Sequence, residues 1–137
     1  MMNRVFLLFF LKLFVLSAIS GQLTISTDLR TDGVWNDKSN EWEVISEDDE
    51  ELTFFKFNKD MSMFRHITPG LTSAYLIESQ SYDEESDQYT FEVTSDVGNK
   101  YVMVIDLEAN QIRFVYDANG KSYLVQHRIK KAWTEEE

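Results

Sequence analysis

Short runs of Val, Ile, Tyr, Phe and Thr that alternate with polar residues constrain this chain more than any other feature. Turn signals separate the runs at about ten-residue spacing, which is typical of an all-β sandwich or barrel. Beyond residue 20, no stretch before the last turn has helical periodicity. The pattern predicts an antiparallel meander of about eight strands that closes into a small barrel, with a two-layer sandwich as the alternative. The predicted strands are 22–27, 41–47, 52–58, 61–67, 73–81, 88–95, 99–107, 112–117 and 122–129.

Three predicted turns register the last four strands against each other. Residues 96–98 are typical of a three-residue hairpin loop with Gly98 left-handed, and residues 119–120 of a two-residue turn with both residues at positive φ. A two-residue loop at 109–110 completes the series. The three turns place one apolar set on one face, and a one-residue slip would invert a strand's face. The expected opposed pairs are Phe91 with Met103, Ile105 with Phe114, Phe114 with Val125, Leu107 with Ile112, Met103 with Tyr116, and Ile112 with His127.

The inner face of this meander is rich in aromatic and methionine side chains. Such side chains can fill a small barrel completely, or they can line a space for one small ligand. His127 lies among them either as a hydrogen-bonded core residue or as a polar group in a mostly apolar pocket. The candidate ligand-binding residues are therefore Phe91, Met103, Phe114, Tyr116, Tyr123 and His127.

The opposite face is polar except for an apolar row formed by Val104, Val115 and Leu124. Two explanations stay open: the C-terminal tail covers the row through Trp133, or the row binds a partner. The same register sets Asp106 directly across from Arg113 on this face, and such a cross-strand ion pair contributes roughly 0.2–1 kcal/mol.

Charge and composition exclude several classes of function. The 137 residues include 24 acidic and 13 basic side chains, and the net charge of −11 argues against nucleic acid or an anionic membrane surface as partner. The absence of Cys excludes disulfides, thiolate zinc sites and a cysteine nucleophile. His66 neighbours Arg65 and the break at 69–70, so we expect it at the surface. No catalytic, phosphate-binding or metal-binding motif is present, and we expect no enzymatic activity, no cofactor and no metal.

Two acidic clusters, residues 47–51 and 83–87, fall between predicted strands. Neither has the Asp-x-Asp-x-Asp-Gly spacing of a dedicated calcium loop. The clusters are either solvated turns or weak cation-binding sites, and the sequence leaves both interpretations open.

Residues 1–20 predict a secretory signal peptide that precedes a single β domain at 21–137. Arg4 provides the positive n-region, an apolar stretch extends from Val5 to Leu16, and residues 18–20 form a small-x-small cleavage site. The apolar run is shorter than the roughly 20 residues of a membrane helix, and Lys12 interrupts it. We expect cleavage after Ser20 and a mature chain with no membrane span.

The segment Gly33-Val34-Trp35 resembles the Gly-x-Trp signature of the first strand in lipocalin-like barrels. In that family the Trp packs at the closed end near a basic residue of the last strand, and the resemblance assigns this place to Arg128. No second family motif appears, and the residues after Trp35 are polar. The resemblance therefore implies a small exported barrel without assigning any ligand-binding residue.

Taken together, these features predict an exported, periplasmic or extracellular, monomeric and non-enzymatic β-barrel protein. The first expected function is binding of an apolar small molecule in the interior. The alternative is a cell-envelope or extracellular protein-interaction module that uses the apolar row or an edge strand. An enzyme would need a concave site with carboxylates of displaced pKa.

Overall fold

The computed structural model describes residues 22–135, and the predicted signal peptide at 1–20 lies outside them. Each strand is antiparallel to the next, and the last strand pairs with the first, so the sheet is a closed barrel. The all-β antiparallel meander is confirmed, and the sandwich alternative is wrong because one continuous sheet closes on itself. The strands are β1 Gln22–Asn36, β2 Glu41–Phe57, β3 Met63–Ile67, β4 Thr72–Asp83, β5 Gln88–Ser95, β6 Lys100–Asp106, β7 Gln111–Ala118 and β8 Lys121–Glu135.

The first two strands are longer than predicted. β1 continues through the polar segment after Thr27, and β2 joins two predicted strands into one. The acidic run 47–51 therefore lies within β2, and its assignment to a turn between strands is wrong. Charged side chains are tolerated there because residues 41–49 are exposed to water. Within residues 22–135, no helix is long and apolar enough to cross a membrane.

Two of the three predicted turns are confirmed. At 96–98, Ser95 N–H donates to the Asn99 carbonyl at 2.8 Å, and Gly98 has a φ of 88°. At 119–120, Asn119 and Gly120 have φ values of 54° and 76°. Both turns produce the predicted strand pairs, such as Phe91 with Met103, Phe114 with Val125 and Ile112 with His127.

The third predicted turn is wrong, and it shifts the predicted pairing of β6 with β7 by two residues. β6 ends at Asp106 and β7 begins at Gln111, so the connection has four residues and pairs Ile105 with Ile112. Asp106 Oδ1 accepts a hydrogen bond from Ala109 N–H at 3.0 Å, which closes this wider turn. Because the error is even, every side chain stays on its predicted face.

The antiparallel order defines two ends of the barrel. The upper end carries the connections at 37–40, 68–71, 96–99 and 119–120, and the lower end carries both ends of the described chain. Buried apolar side chains fill the lower half of the interior. Those that are at most 3% exposed include Leu23, Phe57, Phe64, Tyr89, Leu107, Ile112 and Ile129.

Candidate functional site

A cavity of about 170 Å³ lies in the upper half of the barrel, above the packed interior. Six of the eight strands contribute inward-facing side chains to it, since alternate residues of each strand point inward. Its lining residues are Arg30, His66, Tyr75, Tyr101, Phe114, Tyr116, Val125 and His127.

A bulge in β1 turns Arg30 into this cavity. Thr27 pairs with Ile129, but Leu29 pairs with Arg128, so Asp28 is an extra residue relative to β8. After this bulge, Arg30 lies opposite the inward-facing His127. Bulges re-aim side chains in this way and are common beside functional sites.

A second bulge, in β2, turns Glu50 toward the interior. Thr27 pairs with Thr53 and Leu29 with Asp49, so three β2 residues, 50–52, oppose Asp28 alone. Leu52 has a φ of 50°, in the left-handed region that costs an L-residue roughly 1–2 kcal/mol.

Glu50 forms two hydrogen bonds in the interior, although it belongs to the acidic run. Its Oε1 lies 2.9 Å from Nδ1 of His127 and accepts a hydrogen bond from Thr27 Oγ1 at 3.0 Å. Burial alone would raise the pKa of Glu50, but the contacts with His127 and Thr27 outweigh it and lower the pKa. Glu50 is therefore a partly buried carboxylate that is held in place by contacts with β1 and β8.

Glu50, His66 and His127 form one cluster, with a ligand atom from each lying within 4.8 Å of the others. The His66 ring stacks on Phe55 at a centroid distance of 4.2 Å and meets the His127 ring edge-on at 5.3 Å. His66 Nε2 is buried, and no described residue is a hydrogen-bond partner for it. Burial and the neighbouring His127 lower the pKa of His66 to about 4, so its ring is neutral near pH 7. The surface position expected for His66 is wrong.

Arg30 brings a positive charge to the rim of the cavity. Its Nε and Nη2 donate to the two carboxylate oxygens of Asp32, each at 3.0 Å. The hydrogen bond with Asp32 raises the pKa of Arg30 despite partial burial. The guanidinium is thus permanently charged and fixed in orientation.

The predicted ligand-binding residues divide between the two halves. Phe114, Tyr116 and His127 line the cavity. Phe91 and Met103 are buried in the packed interior, at 1% and 0% exposure. Tyr123 stacks on Tyr116 at 5.4 Å and lines a separate depression beside Arg30 and Asp48.

Sequence reasoning did not assign Glu50, His66 or Arg30 to the site. One signal was available for His66: it follows Phe64 by two residues, so alternation places both on one face. For Glu50 and Arg30 no comparable signal exists, because bulges set their orientation.

In the apolar row on the outer face, Val102 takes the place that the prediction gave to Val104. Val115 pairs with Leu124 and with Val102, whereas Val104 pairs with Arg113. The two-residue register error in the third turn explains the change. The predicted ion pair of Asp106 and Arg113 forms on the diagonal, with Nη1 3.0 Å from Oδ2.

The C-terminal residues that the structure describes, up to Glu135, do not cover this row, because they form the end of β8. Trp133 pairs with Thr24 and packs edge-on against Phe54 at 6.3 Å. Leu124 lies nine residues earlier in the same strand, beside Val115.

The residues that carry the lipocalin-like resemblance lie in β1 and β8. Trp35 packs edge-on against Trp42 at 5.2 Å. Arg128 pairs with Leu29, six residues before Trp35, and its Nε donates to Asp28 Oδ1 at 2.7 Å. The structure does not bring Trp35 and Arg128 together.

The fold and the site define a small closed antiparallel barrel with a solid lower half and a partly polar cavity at its upper end. Comparison of the chain with protein-family models, with curated proteins and with solved structures finds no match.

Proposed function

We propose that this protein is an exported, non-enzymatic β-barrel that binds a small molecule in its upper cavity. The observation that carries the proposal is the 170 Å³ cavity above an interior that is otherwise filled by buried side chains. Small-molecule sites combine apolar walls with polar groups that orient the ligand, and the exposed lining of this cavity is more polar than apolar.

The size of the cavity limits the ligand to about one ring. A cavity of about 150 Å³ lined by apolar side chains accommodates benzene, and this cavity is slightly larger. Tyr75, Tyr101, Phe114 and Val125 offer apolar contact, while Arg30 favours an anionic substituent. A single-ring carboxylate such as benzoate matches this combination of walls and charge.

Titration of the ¹⁵N-labelled protein with benzoate, and separately with toluene, tests the proposal by NMR. The titrations contain EDTA, so that bound metal plays no part. We expect saturable shifts around Tyr75, Tyr101 and Tyr116, with a Kd of about 1 mM or tighter, as suits a ligand of about nine heavy atoms.

The matched variants are Val125→Phe, which fills the cavity, and Val115→Phe, which adds the same bulk to the outer face. Binding should disappear in the first and persist in the second. An absence of saturable shifts with both probes, or equal binding by both variants, would contradict the proposal.

Export is the second part of the proposal, and it rests on the pattern of residues 1–20. Removal of residues 1–20 would leave every strand that the structure describes intact. The mass of the secreted chain tests this part: we expect a chain that begins at Gly21, and a full-length cell-associated chain would contradict it.

A protein-interaction role is the second candidate function, and one observation favours it. The apolar row of Val102, Val115 and Leu124 continues across Gly33, which pairs with both Leu124 and Val44. Val102 and Val44 are 42% and 67% exposed. The row therefore crosses five adjacent strands on the outer wall, and exposed apolar surface of this kind is a mark of protein contacts.

Val115→Lys tests the second candidate. We expect it to abolish capture of a partner from the compartment that contains the protein, and to leave the melting temperature nearly unchanged. A large fall in melting temperature would show that Val115 is part of the core instead.

A further inference from the structure

We infer that Glu50, His66 and His127 bind one divalent transition-metal ion of the zinc class. The inference goes beyond the proposed function and does not depend on it. Two imidazole nitrogens and one carboxylate oxygen are a donor set that proteins use for zinc with one coordination position left open. In the structure, one such atom from each residue lies within 4.8 Å of the other two.

The distances between the donors suit a metal ion after small side-chain movements. Donors about 2 Å from a tetrahedral zinc ion lie about 3.3 Å from one another. His127 Nδ1 and Glu50 Oε1 are 2.9 Å apart, and the widest pair in the cluster is within 4.8 Å. The 2.9 Å separation is therefore slightly shorter than the required one, and the 4.8 Å limit keeps the third donor within reach of the same ion.

His66 provides an independent observation in favour of a missing ligand. Its Nε2 is buried and has no hydrogen-bond partner among residues 22–135, and leaving a buried polar atom unpaired costs about 1–3 kcal/mol. Buried polar atoms in native proteins nearly always have a partner. A metal ion at this nitrogen would supply it.

The surroundings hold the donors in place. The Phe55 ring lies parallel to His66, with an interplanar angle of 4°, and meets His127 edge-on at 5.2 Å. Thr27 Oγ1 donates to Glu50 Oε1, which orients the carboxylate. Outer-shell contacts of this kind fix the ligands of natural metal sites.

The open coordination position faces the cavity, because His66 and His127 both line it. An anionic molecule in the cavity could complete the coordination and also meet Arg30. Asp32 balances the charge of Arg30 through its two hydrogen bonds. The net charge of −11 on the chain further favours a cation.

Composition leaves no second place for such a site. His66 and His127 are the only two histidines in the sequence, and there is no cysteine. Soft or borderline metals prefer these ligands over carboxylates alone. A zinc site with imidazole ligands in a tag-free chain must therefore involve His66 or His127.

Isothermal titration of the tag-free, EDTA-treated protein with Zn²⁺ tests the inference, and cobalt substitution gives a visible spectrum that reports coordination geometry. We expect one equivalent of Zn²⁺ per chain and a tetrahedral Co²⁺ spectrum. Glu50→Gln and His66→Phe should weaken binding by about 100-fold or more, since loss of outer-shell partners alone costs about 10–100-fold.

The matched control is Asp49→Asn, which removes one charge from the neighbouring residue of the same acidic run. It should bind Zn²⁺ as the parent chain does. Thermal melting checks that each variant folds, and Phe at position 66 can keep the stacking on Phe55. Absence of stoichiometric binding in the parent chain overturns the inference, as does equal loss in Asp49→Asn and Glu50→Gln, which would indicate diffuse binding to the acidic run.

Discussion

The lower and upper halves of the barrel have the same strands but different interiors. In the lower half, β6 pairs with β5 and with β7 without register shifts, and the inward side chains are apolar and buried. In the upper half, β1 and β2 contain bulges beside the site, the interior holds Glu50, His66 and His127, and Arg30 lies at the rim of the cavity.

This contrast shows where a small barrel can place chemistry. Uninterrupted alternation produces one apolar face, which packs to the density of other protein interiors. A bulge breaks the alternation and admits a polar side chain that the pattern would exclude. The lower half therefore stabilises the fold, and the upper half is free to carry a site.

The largest expected effect comes from truncating a ring in the lower half. Phe64 is fully buried and contacts the Phe57 ring at 5.1 Å. Phe64→Ala should lower the free energy of unfolding by about 3–5 kcal/mol, because it removes buried area and leaves a cavity. Urea denaturation measures the change.

The counterpart in the upper half is Tyr116→Ala. Tyr116 is only partly buried, and its main ring contacts are Tyr101 and Tyr123. We expect a loss of about 1 kcal/mol, the order of an aromatic pair. Equal losses for Phe64→Ala and Tyr116→Ala would remove the distinction between the two halves.

An intermediate effect is expected at Asp106, the buried carboxylate of the lower end. It accepts hydrogen bonds from Ala109 N–H, Arg113 and Gln88. Burial would raise the pKa of Asp106, but these hydrogen bonds outweigh it and lower the pKa. Asp106→Asn should therefore cost about 1–3 kcal/mol at pH 7.

The pH dependence of this loss follows from the sign of the shift. A carboxylate with a lowered folded-state pKa adds stability above its unfolded pKa of about 4, and that stability is lost as the pH falls further. The difference between Asp106→Asn and the parent chain should thus shrink in acid. Asp37→Asn, in the exposed turn, is the control and should change little at any pH. A difference that grows in acid would contradict this account.

Sequence reasoning succeeded where short-range rules decide the structure. Turn residues at 96–98 and 119–120 fix local backbone conformation, and period-two alternation fixes the face of each side chain. The four-residue connection after Asp106 was missed because the Asp106 side chain accepts a hydrogen bond from Ala109 N–H. This hydrogen bond stabilises a wider turn than residues 109–110 alone suggest.

The candidate site was harder to predict, because its side chains come from strands that are far apart in the sequence. Glu50 and His127 are 77 residues apart and meet only once the barrel closes. No glycine in the sequence indicates the bulge that orients Glu50, since Leu52 occupies the left-handed position. Alternation assigned Phe114, Tyr116 and His127 to the inner face, and it also offered a signal for His66.

The smallest expected effect has the opposite sign and belongs to the upper half. Leu52 is 70% exposed and has a φ of 50°, so it contributes little burial and is conformationally strained. Leu52→Gly removes a strain of roughly 1–2 kcal/mol and loses about 0.5–1 kcal/mol through the freedom of glycine in the unfolded chain. We expect a net rise of about 0.5 kcal/mol in the free energy of unfolding.

Leu71→Gly is the matched control for this substitution. Leu71 is 67% exposed but is not among the residues with positive φ. Leu71→Gly should therefore lower the free energy of unfolding by about 0.5–1 kcal/mol, with no relief of strain to offset the loss. Chemical denaturation of both variants measures the difference in sign. If Leu52→Gly destabilised the chain as much as Leu71→Gly does, the β2 bulge would be unstrained at Leu52.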